Sequence, residues 1–223
     1  MDNVLLKIRE LALKYSNINK IVLFGSRARK DNTPSSDYDI AVFASNSDIS
    51  LKNKFINEIE NIETLNKIDL VWIKQRHEET ELYVNIIKDG IVIMDKFATK
   101  LNNYKNALMR LHEALTEASA TDSLTVRDGV IQRFEFTTEL AWKTLREHLI
   151  FLGFEEINNP KGVLTQAFAN NLITDDNGWL QIIQDRNSTA HIYDEEDAQE
   201  IYERIVNNHI KLFDSLQEKF DNI

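Results

Sequence analysis

Cysteine is absent from the 223 residues of this sequence, and no apolar run approaches the length of a membrane span. The absence of cysteine excludes disulfides, zinc sites with thiolate ligands and cysteine nucleophiles, and it is typical of reducing compartments. A helix needs roughly 20 apolar residues to cross a bilayer. The first residues, MDNVLLKIRELALKY, have the spacing of a soluble helix rather than of a secretory signal. We therefore expect a cytoplasmic protein without a membrane partner.

Positive charge is scarce in the second half of the chain. Residues 1–97 carry 14 Lys and Arg against 15 Asp and Glu, a net charge of −1, whereas residues 98–223 carry 12 against 21, a net charge of −9. Broad, salt-dependent binding of nucleic acid needs many basic side chains that face phosphates. Any contact of the second half with RNA must therefore be local.

Glycine and proline are also few, at six and two residues, and no Gly/Ser-rich or Pro-rich linker divides the chain. The hydrophobic pattern nevertheless changes at one point in the chain, from alternating strand-like and helical segments to helical segments alone. Short β-branched and aromatic runs, with helical patterns between them, predict strands at 21–24, 37–43, 68–73 and 91–94. Later apolar residues recur at helical spacing only. We therefore predict an α+β chain, with a small mixed-sheet domain at residues 1–97 and an all-α helical bundle at residues 98–223.

Local signals place several helix ends in the predicted bundle. Gly153 is suited to end a long helix, and Asn159-Pro160 to begin the next one. A final helix is expected from about Glu195 to Phe220.

Aromatic residues and histidines of the second half have simple structural interpretations. Phe134, Phe136 and Trp142 lie in a helical pattern with apolar neighbours, so we interpret them as core residues rather than as base-stacking surfaces. Scattered histidines, His148 and His209 among them, have no metal-ligand spacing and receive no role.

Two carboxylates share one side of a predicted strand in 37-DYDIAVF-43. Side chains at positions i and i+2 of a strand project to the same face, so Asp37 and Asp39 point together. Neighbouring carboxylates repel, and one takes up a proton unless a cation such as oxygen-preferring Mg²⁺ neutralises them. Asp69 stands among apolar residues, where its charge would be unsatisfied unless it joins the pair. Three carboxylates around one or two magnesium ions make a phosphoryl-transfer site.

The stretch Phe24-Gly25-Ser26 lies where a predicted strand ends and a helix begins. Glycine allows a ligand to approach the backbone closely, and free N–H groups with a serine hydroxyl suit a phosphate. We predict that Gly25, Ser26 and Arg27 bind a nucleoside triphosphate. Each feature alone also fits a structural role: a solvated strand end, an ordinary turn or a paired charge. Their combination, in order, favours catalysis.

A second cluster occupies 185-DRNSTAHIYDEEDA-198, with the spacing R-x4-H-x-Y. Arginine suits phosphate, histidine can move a proton near neutral pH, and tyrosine offers a phenolic hydroxyl. The spacing equally allows Arg186 to cap the end of a helix, with His191 and Tyr193 packed at the following turn.

The first set of motifs, G-S-x-A, then S-D-x-D and a third aspartate in a later strand, resembles the minimal nucleotidyltransferases of the DNA polymerase beta superfamily. The resemblance implies that Ser26 helps to bind the triphosphate, here expected to be ATP. It also implies that Asp37 and Asp39 hold the metal and that Asp69, the third carboxylate of the set, helps to activate the attacking hydroxyl. The chain departs from that family at Lys30, where glycine is usual.

The second half is similar to the HEPN (higher eukaryotes and prokaryotes nucleotide-binding) helical domain, in the branch of nucleotidyltransferase substrate-binding proteins. The similarity includes 133-RFEFTTELAWKTLREHL-149 and 160-PKGVLTQAF-168. It implies metal-independent RNA cleavage by Arg186 and His191, and nucleotidylation of Tyr193 by a partner nucleotidyltransferase. It also implies a homodimer through the helical domain, with RNA as a further substrate.

Three functions remain open. The first is transfer of a nucleoside monophosphate, expected to be AMP, to Tyr193 of the chain's own helical domain, as a fused toxin–antitoxin-type module. The second is an RNA-cleaving toxin that the first half restrains. The third is nucleotidylation of a small molecule such as an antibiotic. A drug-modifying enzyme needs no R-x4-H-x-Y motif, so the motif favours the first two.

Overall fold

A computed structural model describes residues 2–45, 49–73, 80–154, 157–190 and 194–223. In these ranges the strands are β1 (Ile18–Phe24), β2 (Tyr38–Ala44), β3 (Ile68–Ile73) and β4 (Ile91–Asp95). The helices before residue 98 or spanning it are α1 (Asn3–Leu13), α2 (Gly25–Arg29), α3 (Ile49–Glu60), α4 (Glu81–Asp89) and α5 (Lys96–Ala118). The later helices are α6 (Leu124–Phe151), α7 (Pro160–Ala169), α8 (Asp176–Thr189), α9 (Glu195–Arg204) and α10 (Ile210–Asp221).

The strands form one sheet in the order β3-β2-β1-β4. Strand β1 pairs antiparallel with β2 and β4, whereas β2 and β3 are parallel. The sheet is therefore mixed, and the described residues after it are helical, which confirms the predicted α+β class. The strand 68–73 was predicted at its observed bounds, and the second strand is shifted by one residue.

One face of the sheet packs on α1 and α3. Ile21 of β1 and Ile40 of β2 are buried in the same core cluster as Ile8 of α1 and Phe55 of α3. Each contributes the β-branched or aromatic surface that favours a pleated, covered face. This larger core fixes the position of the two central strands.

The opposite face of the sheet carries a smaller core and the acidic residues. Val22, Ala41 and Phe43 are buried in a second cluster with Ile86 of α4. Because side chains alternate along a strand, Asp39 projects to the same side as Ala41 and Phe43. The carboxylate thus lies on the face that is only partly covered.

The chain divides into two compact units, Met1–Phe97 with Ile150–Glu155 and Ala98–Leu149 with Glu156–Ile223. The second unit is held together by an aromatic core. The ring centroid of Phe213 in α10 lies 6.1 Å from that of Phe134 and 5.6 Å from that of Trp179. The buried Tyr104 hydroxyl donates a hydrogen bond to the Phe213 carbonyl, 2.6 Å away.

Helix ends in the second half follow the predicted signals. Gly153 has a left-handed φ of 93° just after α6. The Asn159 side chain accepts a hydrogen bond from the Gly162 N–H at 2.8 Å, and Pro160 is the first residue of α7. The predicted final helix is interrupted: a π-helical turn at Ile205–His209 joins α9 to α10.

The prediction that Phe136 is a core residue is wrong. Phe134 is fully buried, but Phe136 on the same helix is 49% exposed and lines an open groove between α5 and α6, about 360 Å³ in volume. The two positions are 200° apart around an α-helix, so one aromatic ring faces the core and the other faces away.

In the ranges that the structure describes, no helix has the length and the apolar character that crossing a membrane requires.

Candidate active site

The acidic residues of the first unit lie across two neighbouring strands. Asp39 of β2 is the register partner of Asp69 of β3, and on its other side it pairs with Phe24, the last residue of β1. Asp37 is exposed and directly precedes β2. Asp39 and Asp69 are half-buried. The parallel pairing of β2 and β3 therefore sets two of the three predicted carboxylates side by side.

The surroundings of Asp39 disfavour the charged form of its carboxyl group. Its burial raises the pKa of the carboxyl above the usual value, and the negative charges of Asp69 and Asp37 raise the pKa further. Arg29 and Lys67 act in the opposite direction without cancelling the increase. Asp69 pairs with Lys67, whose amine lies 2.5 Å from Oδ1. The ionised form of Asp39 is thus destabilised as the site stands.

Gly25 provides the space that the Asp39 carboxylate occupies. A Cβ added at this position would lie 2.1 Å from Asp39 Oδ2 and 2.9 Å from Cγ. Gly25 also has a positive φ of 69°, which L-residues rarely adopt. The glycine of the G-S motif is therefore required by the backbone turn and by the aspartate next to it.

The loop before β2 is held by Arg27. The guanidinium donates to the Ser36 carbonyl from Nε at 3.0 Å and from Nη2 at 2.7 Å, and Nε also donates to the Asp37 carbonyl at 3.1 Å. Its carbon lies 3.9 Å from the centre of the Tyr38 ring. Arg27 thereby positions the backbone of Asp37, and its contact with a nucleotide stays a prediction.

Asn66 is a second support of this loop that the sequence reasoning missed. Its Nδ2 donates to the carbonyls of Pro34 at 2.7 Å and Ser36 at 3.0 Å. No sequence pattern distinguishes this asparagine from the others, because the contact spans about thirty residues and exists only after β2 and β3 pair.

Ser26 lies in the short helix α2, and Lys30 caps its C-terminal end. The Ser26 carbonyl accepts hydrogen bonds from the backbone N–H groups of Lys30 and Asp31, which closes the turn. Lys30 follows with φ 64° and ψ 26°, in the left-handed region. This conformation explains why the resembled family has glycine there, since glycine adopts it without a Cβ penalty.

Replacing Lys30 with glycine should stabilise the first unit. A left-handed backbone is unfavourable for lysine, so Lys30→Gly is expected to raise the free energy of local unfolding by about 0.5–1 kcal/mol. Native-state hydrogen exchange of the β1 and β2 amides measures this change. Lys14→Gly is the matched control, because Lys14 caps α1 with a right-handed φ of −75°. Equal stability changes in both variants would show that the backbone of Lys30 is not strained.

The second predicted cluster begins in the last turn of α8. Arg186 Nη2 lies 2.9 Å from Oε1 of Glu139 on α6. The Thr189 hydroxyl donates to Glu135, one helical turn before Glu139, and to the Arg186 carbonyl. His191 and Tyr193 lie outside the described residues, so neither the capping alternative nor the catalytic one is decided for them.

Asp185, next to Arg186, is the centre of a buried polar network. Its carboxylate accepts hydrogen bonds from Gln181 Nε2 at 2.9 Å, from Arg204 Nε at 2.9 Å and Nη2 at 3.1 Å, and from His209 Nε2 at 2.7 Å. Burial opposes ionisation, but these hydrogen bonds hold the pKa of Asp185 below its usual value. The role of His209 was missed because its partner is remote in sequence.

Residues 99–222 match the family model described as "Nucleotidyltransferase substrate binding protein like". The chain belongs to this family. Residues 6–98 match the model described as "Polymerase beta, Nucleotidyltransferase". A nucleotidyltransferase domain therefore precedes a substrate-binding domain in the same chain, as both sequence resemblances implied.

The substrate-binding domain is similar to one curated relative and to solved structures. "Probable ribonuclease HepT" of Haemophilus influenzae is 34% identical over 84 residues, which are 34% of this chain. They are 56% of the relative, so the chain spans about half the length of that protein. A solved Haemophilus influenzae structure, described as the fold of a substrate binding domain of a nucleotidyltransferase, is 28% identical with a TM-score of 0.48, covering 54% of this chain and 98% of the other. A mutant of the toxin–antitoxin pair MntA–HpeT is 17% identical with a TM-score of 0.49, covering 57% and 98%.

The nucleotidyltransferase domain offers ligands that suit a divalent cation, although they are not drawn together. The carboxylate oxygens and the raised pKa of Asp39 both fit a hard cation. Among the described residues, however, no group of three or more His, Cys, Asp or Glu side chains is close enough to hold a metal ion. Asp69 is paired with Lys67, and Asp37 is exposed. A metal site at Asp37, Asp39 and Asp69 stays a prediction that requires these side chains to converge.

Proposed function

We propose that the chain is a magnesium-dependent nucleotidyltransferase that transfers AMP from ATP to the hydroxyl of Tyr193 in its own substrate-binding domain. The observation that carries the proposal is the placement of Asp39 beside Asp69 and against Gly25. The raised pKa of Asp39 is a second support, because a carboxylate held close to other carboxylates is suited to a cation. The two domains together act as a fused toxin–antitoxin-type module.

In the proposed reaction, Asp37 and Asp39 would hold Mg²⁺, and Gly25 and Ser26 would bind the triphosphate. The ion would supply charge neutralisation on the phosphate oxygens. Asp69 accepts the phenolic proton through Oδ2, which has no hydrogen-bond partner within the described part of the chain. The Tyr193 oxygen bonds to the α-phosphorus, the bond between that phosphorus and the bridging oxygen breaks, and pyrophosphate leaves.

Mass spectrometry tests the acceptor. The purified chain is incubated with Mg²⁺ and each of the four nucleoside triphosphates, and intact masses and peptide masses are compared. We expect one added AMP on the peptide that contains Tyr193, and no adduct in Tyr193→Phe. Tyr202→Phe, a change at the next tyrosine in the sequence, on α9, serves as the control and should be modified normally. An adduct on another residue rejects the acceptor, and no adduct with any nucleotide favours a small-molecule acceptor.

A second candidate activity is RNA cleavage by Arg186 and His191. It is supported by the relative named "Probable ribonuclease HepT" and by the position of Arg186 at the end of α8, where it is half-buried and paired with Glu139. A nucleotide on Tyr193 would place negative charge near Arg186 and repel an RNA phosphate. Modification would then switch the ribonuclease off. The homodimer through the substrate-binding domain, which the resemblance implied, stays a prediction.

Growth measurements test the restraint. Cells that express Asp39→Asn should grow more slowly than cells that express the unmodified sequence, because Tyr193 stays free and RNA is cleaved. Adding His191→Ala should restore growth, since the proton-transfer group is removed. Adding His112→Ala instead is the control, because the His112 side chain on α5 is exposed and lies outside the motif. Equal growth of all strains at equal protein level contradicts a restrained ribonuclease.

A further inference from the structure

Arg186 is held by one carboxylate without being fully neutralised. Its Nη2 is 2.9 Å from Glu139 Oε1, while the other oxygen of Glu139, Oε2, is 2.9 Å from Lys143 Nζ. The row Lys143, Glu139 and Arg186 therefore has two positive charges and one negative charge.

The rest of the guanidinium is available to a ligand. Arg186 Nη1 has only a long contact of 3.4 Å to the side chain of the neighbouring Asn187, and Nε has no hydrogen-bond partner among the described residues. An arginine with one fixed nitrogen and two accessible donors presents a defined edge to a phosphate. Glu139 thus orients the guanidinium of Arg186 and leaves its Nε and Nη1 donors available to a phosphate.

The turn that carries Arg186 is fixed from two sides. On α6, Glu135 accepts the hydrogen bond of the Thr189 hydroxyl, four residues before Glu139. Towards the core, Asp185 is anchored by Arg204 and His209. The backbone beneath Arg186 is therefore well determined, and the remaining freedom is that of its long side chain, which loses rotamer entropy when it is ordered.

We propose that Glu139 is a positioning residue for Arg186, and that it orders the guanidinium so that its Nε and Nη1 edge receives the anionic oxygens of the RNA phosphate. This inference rests on the proposed ribonuclease activity. It adds a residue that the R-x4-H-x-Y motif does not contain and that lies about fifty residues upstream of it. Glu139 acts only through Arg186 and does not touch the substrate.

The first test measures Arg186 directly and needs no activity. In the full chain with ¹⁵N-labelled arginine, the Nε and Nη signals of Arg186, assigned with Arg186→Lys, report how freely the guanidinium rotates. Glu139→Ala should make the Arg186 signals average as in a free side chain, whereas Glu139→Gln, which keeps an oxygen acceptor, should retain most of the restriction. Glu147→Ala is the matched control, because Glu147 on the same helix pairs with Arg146 at 3.2 Å. Unchanged Arg186 signals in Glu139→Ala overturn the proposal.

The second test measures cleavage of a single-stranded RNA in chains that carry Asp39→Asn. Glu139→Ala should lower kcat by about tenfold or more with KM changed less than threefold, because a misdirected catalytic group costs rate. Glu139→Gln should recover most of the loss. In the background of Arg186→Ala, Glu139→Ala should have no further effect, which a purely structural role would not produce. Equal losses in both backgrounds overturn the proposal. If the reference chain cleaves no RNA while the arginine signals respond as expected, the ribonuclease function fails and the positioning of Arg186 by Glu139 stands.

Discussion

Replacing Asp39 with asparagine is expected to abolish nucleotide transfer and to leave the nucleotidyltransferase domain as stable as before, or more stable. Loss of one carboxylate ligand should remove several kcal/mol of transition-state stabilisation, a decrease of about a thousandfold or more in rate. Transfer is measured as nucleotide incorporation in the presence of Mg²⁺. The same variant is followed by thermal unfolding.

The stability change has a definite sign. The pKa of Asp39 is raised in the folded chain, so its ionised form is less favourable there than in the unfolded chain. Above that pKa the charge therefore destabilises the fold, and removing it at neutral pH should not lower Tm. Asp31→Asn is the control, because Asp31 is exposed and pairs with Arg29 in the same region. Full transfer by a folded Asp39→Asn variant, or a large fall in Tm, would contradict the assigned environment of Asp39.

Substituting Gly25 with alanine is expected to damage both the fold and the site. The new Cβ would overlap the Asp39 carboxylate, whose Oδ2 lies 2.1 Å from the ideal Cβ position, so that carboxylate has to move. A displacement of about 1 Å in a catalytic group can lower a rate by about a hundredfold. The positive φ of Gly25 adds a backbone cost of roughly 1–2 kcal/mol. Transfer rate and unfolding free energy are measured on the same preparation.

Gly129 offers the matched control for this substitution. It lies inside α6, and beyond the backbone of α6 itself no atom of the described residues is within 4 Å of a Cβ built on it. Gly129→Ala should therefore stabilise the chain by up to about 1 kcal/mol, as alanine does in a helix interior. A loss of stability in Gly25→Ala and a gain in Gly129→Ala would show that the fold requires glycine at position 25 but not at position 129. Two variants with the same transfer rate would show that Gly25 has no part in the site.

Local chemistry made much of the fold predictable. The strand at 68–73 was found from its β-branched run, and the ends of α6 and α7 from Gly153 and Asn159-Pro160, because each signal acts on adjacent residues. The juxtaposition of Asp39 and Asp69 was also anticipated, since an isolated charge in a buried strand needs a partner. Their register in the sheet agrees with that reasoning.

The missed features all depend on packing between distant segments. Asn66 supports the loop before β2 only because β2 and β3 lie in parallel. Asp185 contacts His209 only because α8 packs against the π-helical turn between α9 and α10. Phe136 was predicted to be a core residue because an apolar pattern on a helix does not show how much of the helix surface is buried against its neighbours. Arg27 shows a further ambiguity, because a guanidinium binds a backbone carbonyl with the same donors that it would offer to a phosphate.

The π-helical turn at Ile205–His209 has a consequence for comparing related chains. Four of the buried residues between α9 and α10, Ile201, Ile205, His209 and Phe213, are spaced by four, whereas an α-helix repeats every 3.6 residues. In a regular α-helix, residues spaced by four would shift gradually around the helix axis and would not stay on one face. The π-helical turn has more residues per turn, so it compensates for this shift and keeps His209 directed at Asp185. A relative with one residue fewer in this segment could run as an unbroken α-helix and still bury both ends of the stripe. We therefore expect alignments of this family to place a single-residue gap here without any loss of the core.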